Sequence, residues 1–115
     1  MNIIICGAGK VGFSISKQLA AQGHSISVID QSKEDIKKIN ETQEVKGIVG
    51  RATLPSVLEN AGAGEADMII AVTKSDETNM IACQIGHSLF KIPKKIARIR
   101  QQDYLKGEWQ KLYTK

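Results

Sequence analysis

At 115 residues, 42% of them hydrophobic and 24% charged, the chain is long enough for one domain with a real core, and its composition is that of an ordinary globular protein. No apolar run approaches the ~20 residues that span a bilayer, and two cysteines are too few for a disulfide framework or a zinc site, so no metal centre is expected. The net charge of +4 gathers at the end, where Lys94, Lys95, Arg98, Arg100, Lys106, Lys111 and Lys115 stand against Asp103 and Glu108, and without a nucleic-acid motif most of it reads as a solvated face.

The first predicted element is the apolar run Ile3-Ile4-Ile5-Cys6, a buried strand. It begins the chain with no charged n-region, which leads to the expectation of no signal peptide and a cytoplasmic protein. It leads directly into Gly7-Ala8-Gly9-Lys10-Val11-Gly12, a G-x-G-x-x-G pattern opening a helix. Gly7 permits the tight turn, Gly9 lets the backbone approach a pyrophosphate, and Gly12 lets helix and strand pack closely. The free N–H groups and positive dipole end of that helix would then face an anion. A purely structural glycine turn is the competing reading.

Apolar residues at Val11, Ile15, Leu19 and Ala20 have helical spacing, and Gly23 is the predicted C′ residue. A second strand, Ile26 to Asp30, places Asp30 18 residues beyond Gly12, near the ~20 at which a carboxylate grips a ribose. A carboxylate there accepts from both ribose hydroxyls and repels a 2′-phosphate, which favours NAD over NADP; alternatively Asp30 caps a turn. Ser32 is a predicted N-cap for a helix over 33–41 with Ile36 and Ile39 inward. Val45 to Val49 forms a third strand. Thr53 is expected to cap a helix starting near Pro55, lined by Val57, Leu58 and Ala61 and closed by Gly62.

Asp67 to Thr73 is a fourth, fully buried strand, followed by a helix over 76–90 with Ile81, Ile85 and Leu89 on one face and Met80, Cys83 and His87 flanking it. Thr73, at the carboxyl end of a strand, either reaches a ligand or stabilises the turn. Ile96 to Arg100 is the fifth strand, with Arg98 and Arg100 on one face; the Arg98 guanidinium demands a partner, either a phosphate or a carboxylate. A last helix is expected over about 102–115, through Tyr104, Leu105, Trp109 and Leu112. Strands and helices thus alternate as in a Rossmann-like, doubly wound parallel sheet, three layers α/β/α, ending before a sixth strand. No acid–base, nucleophilic or metal-ligating constellation accompanies the glycine motif, so no catalytic residue is assigned and binding without chemistry is expected. Cys6 and Cys83 read as small buried residues.

Together these stretches resemble the N-terminal RCK (KTN) nucleotide-binding domain of the TrkA-type regulatory subunit of bacterial Trk potassium uptake systems. The most specific runs are Ala66-Asp67-Met68 to Val72-Thr73, Ser75-Asp76-Glu77-Thr78-Asn79-Met80-Ile81-Ala82-Cys83-Gln84, and Ile96-Ala97-Arg98-Ile99-Arg100 with Asp103-Tyr104. The resemblance implies a non-enzymatic regulator that binds NAD(H), and as a further candidate ATP or ADP. Its implied partner is a potassium-translocating membrane subunit, at whose inner, cytoplasmic face it sits peripherally as a dimer or larger ring. It also implies that Gly7, Ala8, Gly9, Lys10 and Val11 hold the pyrophosphate and Asp30 the adenosine ribose. Thr73 and Lys74 would lie at the cofactor, and Arg98 would approach the phosphates or ribose. Arg51 departs from the pattern by adding positive charge beside the adenosine end. Residues 1–115 would be a single N-terminal domain, without the C-terminal RCK domain. An NAD-dependent oxidoreductase's nucleotide-binding domain and a pure oligomerisation module with a degenerate site are the competing readings.

Overall fold

In the computed structural model, which describes residues 1–106, five strands form one parallel sheet in the order β3-β2-β1-β4-β5. The strands are β1 (Asn2–Cys6), β2 (Ser25–Asp30), β3 (Lys46–Val49), β4 (Met68–Ala71) and β5 (Lys94–Ala97). The helices are α1 (Lys10–Ala21), α2 (Lys33–Thr42), α3 (Pro55–Asn60) and α4 (Asp76–Ser88), with 3-10 turns at Ala63–Glu65 and Gln102–Leu105. The Rossmann-like doubly wound class is therefore realised. Strand order reverses between β1 and β4, and a crevice opens there at the carboxyl ends of the strands.

The period-2 geometry of β1 explains the three layers. Ile4 and Cys6 point into a core shared with α3 and α4, with Leu58, Ile69, Ala82 and Cys83. Ile3 and Ile5 point the other way, among Ile26, Val28, Ile36 and Ile39 under α1 and α2. A strand buried on both faces must be apolar at every position, so these strands read as continuous Ile and Val runs.

Local signals hold at several boundaries. Ser32 accepts the Asp35 N–H at 3.1 Å and caps α2. Gly23 follows α1 with a left-handed φ of 91°. Both cysteines are buried; burial pushes the Cys83 thiol up to about 11 and raises that of Cys6 as well, with Cys83 beside it adding to the shift.

Several expectations are corrected. The N-cap of α3 is Leu54, not Thr53, and no side chain caps it, because the 51–54 turn is closed by Leu54 N–H donating to the Arg51 carbonyl at 3.1 Å. β4 ends at Ala71, two residues before Thr73, and β5 runs over Lys94–Ala97, so Arg98 to Arg100 lie beyond its end. The face of α4 that meets the sheet is Asn79, Ala82, Cys83 and Gly86, while Ile81 is 45% and Leu89 60% exposed. Little room is left there for bulk: a Cβ on Gly86 would stand 3.2 Å from Cδ1 of Ile92, just before β5, and 3.4 Å from Cγ2 of Ile69 in β4. At the start of the span expected as a last helix stands the 3-10 turn Gln102–Leu105; the rest of that expected span, with Trp109, Leu112 and Tyr113, falls outside the described residues.

Candidate functional site

Each strand of the sheet delivers its carboxyl end to one open cleft of about 780 Å³. β1 brings Gly7, Gly9, Lys10 and Val11; β2 brings Asp30 and Gln31; β4 brings Thr73, Lys74 and Ser75; the segment after β5 brings Arg98 and Arg100. Eight of the nine residues singled out from sequence therefore line it, and the ninth, Ala8, is buried beneath the loop.

The three glycines do three different things. Gly7 has φ of 118°, and a Cβ there would lie 3.0 Å from the Val72 carbonyl oxygen, so chirality and crowding both exclude a side chain. A Cβ on Gly12 would fall 1.8 Å from the Gly7 carbonyl oxygen, which makes that glycine the condition for α1 to start where it does. Gly9 has an ordinary φ of −73° and no atom within 4 Å of where its Cβ would stand. Nothing in the protein occupies the space that Gly9 leaves.

That space adjoins the start of α1. Gly9 is the N-cap, no side chain caps the helix, and the first turn holds no acidic residue. Uncapped N–H groups and the positive dipole end thus meet the cleft unneutralised. On one side stands the Asp30 carboxylate. Its Oδ2 accepts the Ala8 N–H at 2.7 Å and its Oδ1 the Ser32 N–H at 2.8 Å. Asp30 thereby performs the turn capping of the competing reading and also clamps the glycine loop to β2. Each carboxylate oxygen still has a lone pair for a further donor.

On the other side stands Arg98. Its Nη2 donates to the carbonyl oxygens of Val72, at 3.1 Å, and Thr73, at 2.8 Å, so its partners are main-chain carbonyls and not the carboxylate weighed from sequence. Its Nε is buried without a hydrogen-bond partner. The Thr73 hydroxyl is engaged locally, 2.7 Å from Asn79 Oδ1 and 3.1 Å from the Ser75 carbonyl oxygen, as the turn reading expected. The charges divide: Asp30 and Asp35 line one end of the cleft, Lys10, Lys74, Arg98 and Arg100 the rest. An anion bearing a hydroxylated group fits this division, since phosphate oxygens meet N–H groups and guanidinium while hydroxyls meet carboxylate.

Sequence reasoning missed Asp35, Thr78 and Asn79. Asn79 was missed because the bulkiest apolar residues of α4 drew the helix face. The stripe 79, 82, 83, 86 has the i, i+3, i+4, i+7 spacing of a packed face and was legible as small residues. Among the described residues no cluster of three His, Cys, Asp or Glu side chains is placed to hold a metal, and no helix is long and apolar enough to cross a membrane.

Comparison with known proteins places this geometry. The chain is 48% identical over all 115 residues to the Trk system potassium uptake protein TrkA of Azorhizobium caulinodans, and 42% identical over 114 residues to that of Haemophilus influenzae. It spans about a quarter of the length of either relative, 25% in both cases. Among solved structures it superposes with a TM-score of 0.78 and 26% identity on the Shewanella denitrificans Kef CTD in AMP-bound form, covering 91% of this chain and 65% of that one. The model of the TrkA-N domain matches residues 3–112, and the chain belongs to that family.

Proposed function

We propose that this chain is the nucleotide-sensing module of a potassium-uptake regulator. It binds NAD(H), or an adenine nucleotide such as ADP or ATP, in the cleft and performs no chemistry on it. The observation that carries the reading is the open space at Gly9, beside the uncapped start of α1, in a cleft that Arg98 also lines. Gly7 to Val11 hold the pyrophosphate through main-chain N–H groups, and Asp30 accepts from the adenosine ribose. Thr73 and Lys74 border the ligand, and Arg98 approaches a phosphate or ribose oxygen. The AMP in the Kef CTD structure supports an adenine nucleotide, and the name of the TrkA relatives supports potassium uptake.

Regulation follows if the nucleotides have different affinities for two arrangements of such domains, since a ligand shifts an equilibrium only by that difference. The partner is then a potassium-translocating membrane subunit of Trk type, met at the cytoplasmic face of the membrane by a dimer or larger ring of this domain.

Calorimetry with NAD, NADH, ADP and ATP tests the reading. Saturable binding of at least one is expected, weakened ~10-fold or more in Asp30→Ala, where about 1.5–3 kcal/mol of charge-assisted hydrogen bonding is lost. NADH is expected to stay unconsumed. Absence of binding at millimolar nucleotide overturns the proposal, and tighter binding of NADPH than of NADH overturns the role of Asp30.

A further inference from the structure

Asn79 is a fully buried polar side chain, 0% exposed, on the face of α4 that meets the sheet. A carboxamide offers two donor hydrogens and two acceptor lone pairs. All four are used. Oδ1 accepts the Thr73 N–H at 2.8 Å and lies 2.7 Å from the Thr73 hydroxyl, while Nδ2 donates to the Thr73 carbonyl at 3.2 Å and to the Arg98 carbonyl at 2.8 Å. The orientation of the amide is fixed by chemistry, because a flipped group would set NH2 against the Thr73 N–H.

One side chain therefore ties the loop after β4 to the segment after β5, at Thr73 and Arg98, both of which line the cleft. The Arg98 guanidinium makes the return connection, through Nη2 to the carbonyls of Val72 and Thr73. The loop carbonyls hold the guanidinium by one nitrogen, and its Nε is buried without a partner. Asn79 itself does not line the cleft.

We infer that Asn79 is the positioning residue of the nucleotide site: it sets the Thr73 loop against Arg98 so that the guanidinium meets the ligand ready-oriented. The inference rests on the nucleotide-binding reading above and adds the residue that prepares the site for it. Preorganisation of this kind shows in affinity, because a loosened wall must be ordered at the expense of binding.

The informative variant is Asn79→Asp. Its carboxylate would face the carbonyls of Thr73 and Arg98 with no hydrogen to give them. Once protonated, it regains one donor. Of the ionisable groups, Asp76 and Cys83 share α4 with the position, Lys74 follows Thr73 in the loop, and Arg98, whose carbonyl Nδ2 meets, lies after β5. Arg98 opposes protonation, but complete burial and the two facing carbonyls favour it, so this carboxyl is raised. Binding is then weak at pH well above the raised value and recovers as pH falls through it.

The affinities of wild type, Asn79→Asp, Asn79→Ala and Leu58→Ala for NADH and ADP are measured by calorimetry between about pH 5 and pH 8, spanning such a shift, with melting curves and amide exchange at Thr73 alongside. Expected is a loss of ~10-fold or more in Asn79→Asp at the alkaline end, partial recovery at the acid end relative to wild type, and a similar but pH-independent loss in Asn79→Ala. Leu58→Ala, a core truncation in α3, lowers the melting temperature without changing affinity. An Asn79→Ala variant that melts lower but binds like wild type overturns the inference, as does an Asn79→Asp profile parallel to wild type. If wild type binds neither nucleotide, the function proposed above falls, and Thr73 protection decides the positioning role alone. Protection lost in Asn79→Asp at the alkaline end and regained at the acid end supports it; unchanged protection overturns it.

Discussion

Gly9 and Gly12 are the same residue type in one motif, and the structure gives them opposite burdens. A methyl on Gly12 would collide with the Gly7 carbonyl, whereas one on Gly9 meets no protein atom. Gly12→Ala is therefore expected to lower stability by about 3 kcal/mol, the upper part of the range for overpacking a close contact. Gly9→Ala is expected to cost only about 1 kcal/mol, the loss of a tolerated N-cap for a poor one. Yet Gly9→Ala should weaken nucleotide binding ~10-fold or more, because the methyl takes the space of the ligand. Melting curves and calorimetry on the two variants make the comparison; a Gly9→Ala chain that binds like wild type removes Gly9 from the site. The motif already set Gly9 towards a ligand and Gly12 towards close packing; the backbone atoms across from Gly12 and the open space at Gly9 are what the tertiary structure adds.

At the scale of elements, the start of α4 clasps the chain beyond β5. Asp76 Oδ1 accepts the Arg100 N–H at 2.9 Å and Oδ2 the Gln101 N–H at 2.7 Å, and the Tyr104 hydroxyl donates to Glu77 Oε2 at 2.8 Å. The two main-chain N–H groups hold the Asp76 carboxyl below its usual range, and the Tyr104 hydroxyl does the same for Glu77. A carboxyl depressed in the folded state stabilises above its unfolded value and stops doing so as pH falls through the folded one. Protection of the Arg100 and Gln101 amides should therefore persist at about pH 4, the ordinary carboxylate value, and disappear under more acid conditions. In Asp76→Asn, with a single acceptor oxygen, one of the two amides should exchange freely even at neutral pH. Equal protection in both proteins would show that the clasp is held by something else. By local chemistry alone, Asp76 and Glu77 are accounted for as acids favouring a helix N-terminus. Their second role joins residues 24 to 27 apart in the chain, which local pattern does not reveal.

Over the whole molecule, five strands of a single parallel sheet send their carboxyl ends to one cleft, so binding and global stability are linked. A ligand that binds only the folded chain stabilises it by RT ln(1 + [L]/Kd), about 2.7 kcal/mol at a hundredfold excess over Kd. For a domain of this size that raises the melting temperature by on the order of 10 °C. A melting series with NADH or ADP checks it, and a midpoint indifferent to saturating nucleotide contradicts binding in the cleft. The layered architecture was legible throughout, since Ile3 to Cys6, Val28 to Ile29 and Ile69 to Ala71 are too apolar for anything but a sheet covered on both faces. The cleft residues were legible too, because ligand positions in this architecture follow strand ends, and strand ends follow from turns.

The sequence by itself determined the class of fold, the order of its elements and the glycine loop with Asp30. All of these rest on short-range chemistry: backbone sterics at glycine, capping by Ser32, and side-chain periods along single elements. The tertiary structure decided the rest. It turned α4 onto the small face of Asn79, Ala82, Cys83 and Gly86, with Ile85 partly buried against the same core and Ile81 left exposed. It also gave Arg98 two main-chain carbonyls as partners and left its Nε buried without one, because β4 and β5 are neighbours in space although 26 positions separate Val72 from Arg98.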